Sequence, residues 1–198
     1  MKNSLSFYIK PFLIVAAVAM AIVCYIQGTP QNLKGWFEHI GTVSIVMGFI
    51  LWLYIKWIWR YCPWEKIPRF AKQYKGEIRY LHGDGGTKKA EIFISQTLFF
   101  IDVKIKTDEI TSDTVTSDLV EEHNSWLLYY TYQTNPQATV SEKNPAQYGT
   151  TRLEIEKPEY NFKTWFLKHE KTIERLEGKY WTTSKTTGDM VVTKESKK

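Results

Sequence analysis

The chain has 198 residues, 43% hydrophobic, 15% aromatic and 24% charged, with a formal net charge of +5; that is enough for one folded body plus an appendage and too little for two large soluble domains. Its two cysteines, Cys24 and Cys62, have neither a CxxC partner nor a histidine at metal-ligand spacing, which excludes a disulfide scaffold or zinc module and fits a reducing compartment. Seven basic residues against two acidic ones fall between Lys56 and Arg79, and the remainder beyond Arg79 is net acidic, so the basicity reads as a juxtamembrane strip and neither DNA nor RNA is expected as a partner.

In chain order, the first element is the uncharged run from Phe12 to Ile26. With Phe7, Tyr8 and Ile9 upstream it reaches about 20 residues, or about 30 Å as a helix, long enough to cross a lipid bilayer. A cleaved signal peptide is the competing reading, because Lys2 precedes the run and Ala19, Met20 and Ala21 form an A-x-A site; continuation of the apolar run to Ile26 favours an anchor. A polar loop with Pro30 and Gly35 leads to a second uncharged run, Ile40 to Ile55, which ends among Trp52, Tyr54, Trp57, Trp59, Tyr61 and Trp64. Rings of this kind settle at headgroup depth, with Lys56 snorkelling toward water. Two spans joined by a loop holding one lysine, Lys34, place both termini on the cytoplasmic side of the membrane by the positive-inside rule. Residues 1–69 are therefore assigned to a transmembrane hairpin with its basic segment, and 70–198 to a cytoplasmic domain. Ala17 and Ala21 in the first span, and Ser44 and Gly48 in the second, are small residues four apart of the kind that let helices approach closely in lipid.

From Lys75 onward short alternating segments dominate. Lys75 to Leu81 and Lys88 to Ser95 flank His82-Gly-Asp-Gly-Gly86, a hairpin signal. Phe99 to Lys106 places Phe99, Ile101, Val103 and Ile105 on one face. Thr111 to Val120, Trp126 to Gln133, Gly149 to Glu156, Gly178 to Ser184 and Asp189 to Thr193 complete eight predicted strands. Eight antiparallel strands with short turns suit a closed up-and-down, lipocalin-like β-barrel with room for one small ligand, a sandwich being the alternative. Between the sixth and seventh strands Phe162, Trp165, Phe166, His169, Ile173 and Leu176 recur at helical spacing, with Gly178 as the stop, so one short helix is expected there.

Signatures of catalysis are missing from the sequence. It has no G-x-S-x-G elbow, no phosphate-binding P-loop and no H-E-x-x-H. His39, His82, His123 and His169 are scattered, and Glu121 and Glu122 occupy neighbouring strand positions that face opposite ways. A binding protein without cofactor or metal is expected rather than an enzyme. The backbone of His82-Gly-Asp-Gly-Gly86 could also cradle a phosphate, although a hairpin turn accounts for it.

Two N-terminal spans, a basic strip, an eight-strand body and a closing GKYWTTSKTTG, with Gly178-x-Tyr180-x-Thr182 followed by Lys185-Thr186-x-Gly188, together resemble the two-transmembrane β-barrel effectors of bacterial cyclic-oligonucleotide anti-phage (CBASS) systems. Many members of that family carry an arginine where this chain has Ser184. The resemblance implies a barrel that binds a cyclic dinucleotide made by a partner nucleotidyltransferase, then self-associates into a homo-oligomer that disrupts the inner membrane and kills the cell. Such a ligand presents two bases and two phosphates, to be met by aromatic faces, hydroxyl donors and one arginine. Tyr180 and Thr182, with Thr186 in the closing motif, Tyr130 and Tyr132 on another strand, and Tyr80 and Arg152 are the ligand-binding residues expected on that basis. The plainer alternative makes these tyrosines core residues with satisfied hydroxyls and turns Arg152 to solvent. At the level of function the rivals are a membrane-tethered, lipocalin-like binding protein for an apolar ligand and a barrel that docks another protein.

Overall fold

A computed structural model describes residues 4–62, 65, 67–81, 85–123, 125–142, 144–155 and 172–195. The chain divides into two compact units, Met1–Trp59 and Arg60–Lys198.

The first unit is a helical hairpin, α1 (Ser4–Gln27) and α2 (Leu33–Lys56). Asn32 caps α2, its side chain accepting from the Gly35 N–H at 2.8 Å. At the far end Lys56 Nζ lies 5.0 Å from the Trp52 and the Trp57 ring centres, a cation held between aromatic faces. Gly28, at φ +83°, turns the chain out of α1, and its carbonyl lies 3.0 Å from His39 Nε2. His39, Val43 and Met47, four residues apart, form the buried stripe of α2. Of the described helices, α2 is long and apolar enough to cross a membrane; its 24 residues span about 36 Å at about 1.5 Å per residue. The apolar part of α1, Pro11–Gln27, is shorter.

The second unit is an eight-stranded barrel. Its strands are β1 (Gln73–Leu81), β2 (Gly86–Gln96), β3 (Ile101–Lys106), β4 (Ile110–Glu122), β5 (Ser125–Pro136), β6 (Tyr148–Ile155), β7 (Arg175–Thr182) and β8 (Thr187–Lys194). Each pairs antiparallel with the next and β8 pairs with β1, so the sheet closes without a free edge. Alternation decides which side chains face in: Ala90, Ile92 and Ile94 of β2, Val103 and Ile105 of β3, Leu128 and Tyr130 of β5, and Leu153 and Ile155 of β6 are all buried.

Along β4 the hydroxyl-rich sequence replaces missing ladder bonds. Regular β3–β4 pairing stops at Lys104↔Asp113, and a bulge at Val115 shifts the register. Past that point Thr114 Oγ1 accepts from Val103 N at 3.0 Å and donates to Val103 O at 2.7 Å, while the Ser117 hydroxyl donates to Ile101 O.

One end of the barrel is plugged. Tyr74 Oη, fully buried, donates to Ile173 O and accepts from Ala71 N, both at 2.9 Å. Gln96, 6% exposed, accepts from Phe70 N at 3.0 Å and donates to Pro68 O at 2.9 Å, and its own carbonyl accepts from Arg60 at 2.9 Å. Residues 60–69, grouped with the membrane segment on charge, thus fall in the barrel unit.

Three local expectations change. Phe99 is not in β3: Thr97 N donates to Phe100 O at 2.8 Å, making a turn in which Phe99 is exposed. Leu176 and Gly178 belong to β7, paired with Val192 and Met190, so Gly178 is no helix stop; Leu176 instead keeps the two-residue period that it shares with inward Tyr180. Ser184 falls in the β7–β8 turn rather than on the strand face of Tyr180 and Thr182. The expected helix at Phe162, Trp165, Phe166 and His169 lies outside the described residues, as do His82, Gly83 and Asp84 of the first hairpin.

Candidate ligand-binding site

Opposite the plug, the β3–β4, β5–β6 and β7–β8 connections, with Tyr80 of β1 and Lys88 of β2, surround a cavity of about 600 Å³, within the range typical of small-molecule sites. Its position follows from side-chain size. Deep in the barrel the inward positions carry Ile92, Val103, Leu128, Leu153 and Val192, which fill the lumen. Toward the mouth the inward positions of several strands are glycines or hydroxyl residues: Gly86, Ser112, Thr134, Gly149, Thr182 and Gly188.

Among the described residues three tyrosines line this space, Tyr80 from β1, Tyr132 from β5 and Tyr180 from β7. Each stands across the ladder from a glycine: Tyr80↔Gly86, Tyr132↔Gly149 and Tyr180↔Gly188. Burial pushes the Tyr180 phenol up to about 12, with neighbouring Tyr80 and Asp189 adding to the shift. Tyr132 is raised further, first by burial and then by Tyr130 and Tyr180. Both therefore stay neutral at physiological pH and present hydroxyl donors.

A network of neutral polar groups joins two rim segments. Thr182 Oγ1 and Ser184 Oγ are 3.0 Å apart, and the Ser184 hydroxyl donates to Gln147 Oε1. Thr134 Oγ1 accepts from Gln147 N at 2.9 Å and donates to Gln147 O at 3.2 Å. Thr186 N donates to Thr182 Oγ1 at 3.3 Å, in a turn closed by Thr182 N to Thr186 O at 2.9 Å with Lys185 at φ +61°. A left-handed lysine costs about 1 kcal/mol, which the hydrogen-bonded turn must offset.

Lys88 of β2 is the one charged residue among the described lining residues. Its Nζ is 2.5 Å from Glu109 Oε2, at the β3–β4 turn, and 5.5 Å from the Tyr80 ring centre. Among the described residues, no group of three or more His, Cys, Asp or Glu could hold a metal ion.

Of the residues expected from sequence, Tyr80, Tyr132, Tyr180, Thr182 and Thr186 come together on the cavity. Tyr130 lies outside its lining, 1% exposed, with its ring centre 6.0 Å from that of Tyr132. Tyr130 and Thr151 pair across the β5–β6 ladder and both are buried; burial raises the Tyr130 phenol strongly, with the Thr151 hydroxyl opposing. Arg152 points away from the lumen and bonds Glu154 Oε1 at 3.0 Å on the outer face, because it sits one residue out of phase with inward Thr151 and Leu153.

The expectation missed Lys88, Thr134, Asn144 and Gln147. Lys88 was accessible by parity, since it shares the inward phase of Ala90, Ile92 and Ile94. Asn144 and Gln147 lie in a loop without periodicity, and only their hydrogen bonds place them.

With this geometry in place, comparison with known proteins identifies the domain. Residues 65–194 match the family described as Cap15, cyclic dinucleotide receptor domain. A relative from Staphylococcus schleiferi, CD-NTase-associated protein 15, is 36% identical over 162 residues, covering 79% of each chain. The chain belongs to the Cap15 cyclic dinucleotide receptor family.

Proposed function

We propose that this protein is an anti-phage effector whose barrel holds a cyclic dinucleotide in the cavity at its open end, and that filling the cavity drives self-association and breaching of the membrane. The observation that carries the binding reading is a lumen whose mouth combines, among the described residues, three tyrosines, a network of neutral hydroxyl and amide groups and a single cation, Lys88. Tyrosine faces suit stacking on bases. Hydroxyls and amide groups suit ribose and base edges, and an ammonium suits a phosphate. In this reading Tyr80, Tyr132, Tyr180, Thr182, Thr186 and Lys88 contact the ligand, Tyr130 supports Tyr132 from below, and Arg152 takes no part.

For the membrane step, both helices span the inner membrane and both termini face the cytoplasm, where a partner nucleotidyltransferase supplies the ligand. Ala17, Ala21, Ser44 and Gly48 are exposed on the hairpin, and no heavy atom lies within 4 Å of a Cβ built at Gly48, so these small-residue faces are open to helices of other copies. The protein acts by binding and assembly, not by catalysis.

The test is dye release from liposomes carrying the purified full chain. A cyclic dinucleotide should release dye and shift the protein to a larger species, and fatty acids should do neither. Stabilisation by fatty acids alone would replace this reading with a carrier of apolar ligands.

A further inference from the structure

Glycines on the inner face of this barrel fall into two groups by what a side chain there would strike. A Cβ at Gly76, Gly178 or Gly188 would come within 2.2, 2.0 and 2.0 Å of the carbonyl oxygens of Val191, Arg152 and Arg79 respectively. These three are required by the close approach of neighbouring strands, and any substitution there works against barrel closure. Gly86 and Gly149 are different. A Cβ at Gly86 would lie 2.4 Å from Tyr80 Oη and 2.6 Å from its Cζ, and one at Gly149 would lie 2.4 Å from both Cζ and Oη of Tyr132. The three nearest atoms at each position all belong to the tyrosine ring and none to backbone. Neither glycine has a positive φ, so backbone conformation does not require glycine at either site. What requires it is the phenol end of a cavity-lining tyrosine.

We infer that Gly86 and Gly149 are specificity-determining residues: by leaving the wall bare they seat the rings of Tyr80 and Tyr132 against the barrel, and this recess sets how large a base the lumen admits. The inference rests on the nucleotide reading of the cavity. An alanine at either position meets the far end of a rotatable side chain, so the ring gives way by turning about its own bonds while the strands stay paired. Backbone closes the wall behind the ring, so the ring turns into the lumen. Space is then lost beside Lys88 at Tyr80 and beside Thr134 and Gln147 at Tyr132, and a large base suffers more than a small one.

The experiment is a double-mutant cycle on the full chain in detergent, read by calorimetric titration with cyclic di-GMP, cyclic di-AMP and cyclic di-UMP. Gly149→Ala should weaken the purine ligands by about tenfold or more and cyclic di-UMP by less, whereas in a Tyr132→Ala background the same change should cost under about twofold. Gly86→Ala and Tyr80→Ala should behave alike. Should Tyr132→Ala or Tyr80→Ala bind too weakly to titrate, the same cycle is read in melting temperature, where each alanine should cost stability with its tyrosine present and none without it. Additive effects at both pairs, or wild-type behaviour of both glycine variants, overturn the inference. So does failure of Gly149→Ala to fold even with Tyr132→Ala present. Absence of binding of any cyclic dinucleotide by the wild-type protein counts instead against the nucleotide reading itself.

Discussion

Replacing Lys88 with methionine keeps an unbranched side chain one atom shorter and removes the one charge among the described lining residues. A charge-assisted hydrogen bond to phosphate is worth about 1.5–3 kcal/mol net, but in the free protein Lys88 is engaged by Glu109 at 2.5 Å. With their side chains 35% and 42% exposed, that pair is worth no more than about 1 kcal/mol. Exchanging Glu109 for a phosphate therefore leaves a net gain of about 0.5–2 kcal/mol, so Lys88→Met should raise Kd by about 2- to 30-fold. Glu109→Gln removes the competitor and should lower Kd by up to about fivefold. Isothermal titration at two salt concentrations checks both, and the Lys88→Met variant should show the weaker salt dependence. Unchanged affinity in Lys88→Met, or weaker binding in Glu109→Gln, would refute the assignment of Lys88 to the phosphates.

Further outcomes follow from the same geometry. Tyr180→Ala and Thr182→Val should abolish nucleotide-dependent toxicity while leaving the protein in the membrane fraction, as fractionation and a viability assay would record. Deletion of residues 1–60 should end killing, and a truncated chain that still kills would contradict the membrane step. Gln96→Leu leaves Phe70 N and Pro68 O buried without their partner; at about 1–3 kcal/mol per orphaned group, chemical denaturation should show a loss of about 2–6 kcal/mol, with little effect on ligand affinity. Burial holds the Tyr74 and Tyr180 phenols up at about 12, above the unfolded value of about 10. The folded chain therefore keeps protons that the unfolded chain releases between these values, so stability is full below about pH 10 and falls as pH rises toward 12. Phenolate absorbance followed beside an alkaline melting series checks this.

The eight strands could be read from the sequence because each buries one face, and an antiparallel ladder with a single buried face imposes a period of two on its side chains. The same period carried more about the site than was drawn from it: Arg152 alternates with Leu153 and Ile155, which sends it outward, and Lys88 is in phase with Ile92 and Ile94, which brings it in. Depth along the barrel axis is another matter. Tyr130 and Tyr132 share a face, yet one is sealed in core and the other lines the cavity, because depth depends on register with neighbouring strands and on where those strands carry glycine. Loop residues such as Gln147 are positioned by hydrogen bonds to Thr134 and Ser184, and nothing in the local pattern announces those partners.

Whether the open end of the barrel holds a cyclic dinucleotide is tested most directly by calorimetric titration of the full chain in detergent with a panel of these ligands, beside Tyr180→Ala and Thr182→Val. Saturation at one ligand per barrel, lost in both variants, is the predicted result. Heat with no cyclic dinucleotide, or equal binding by wild type and both variants, would contradict the account.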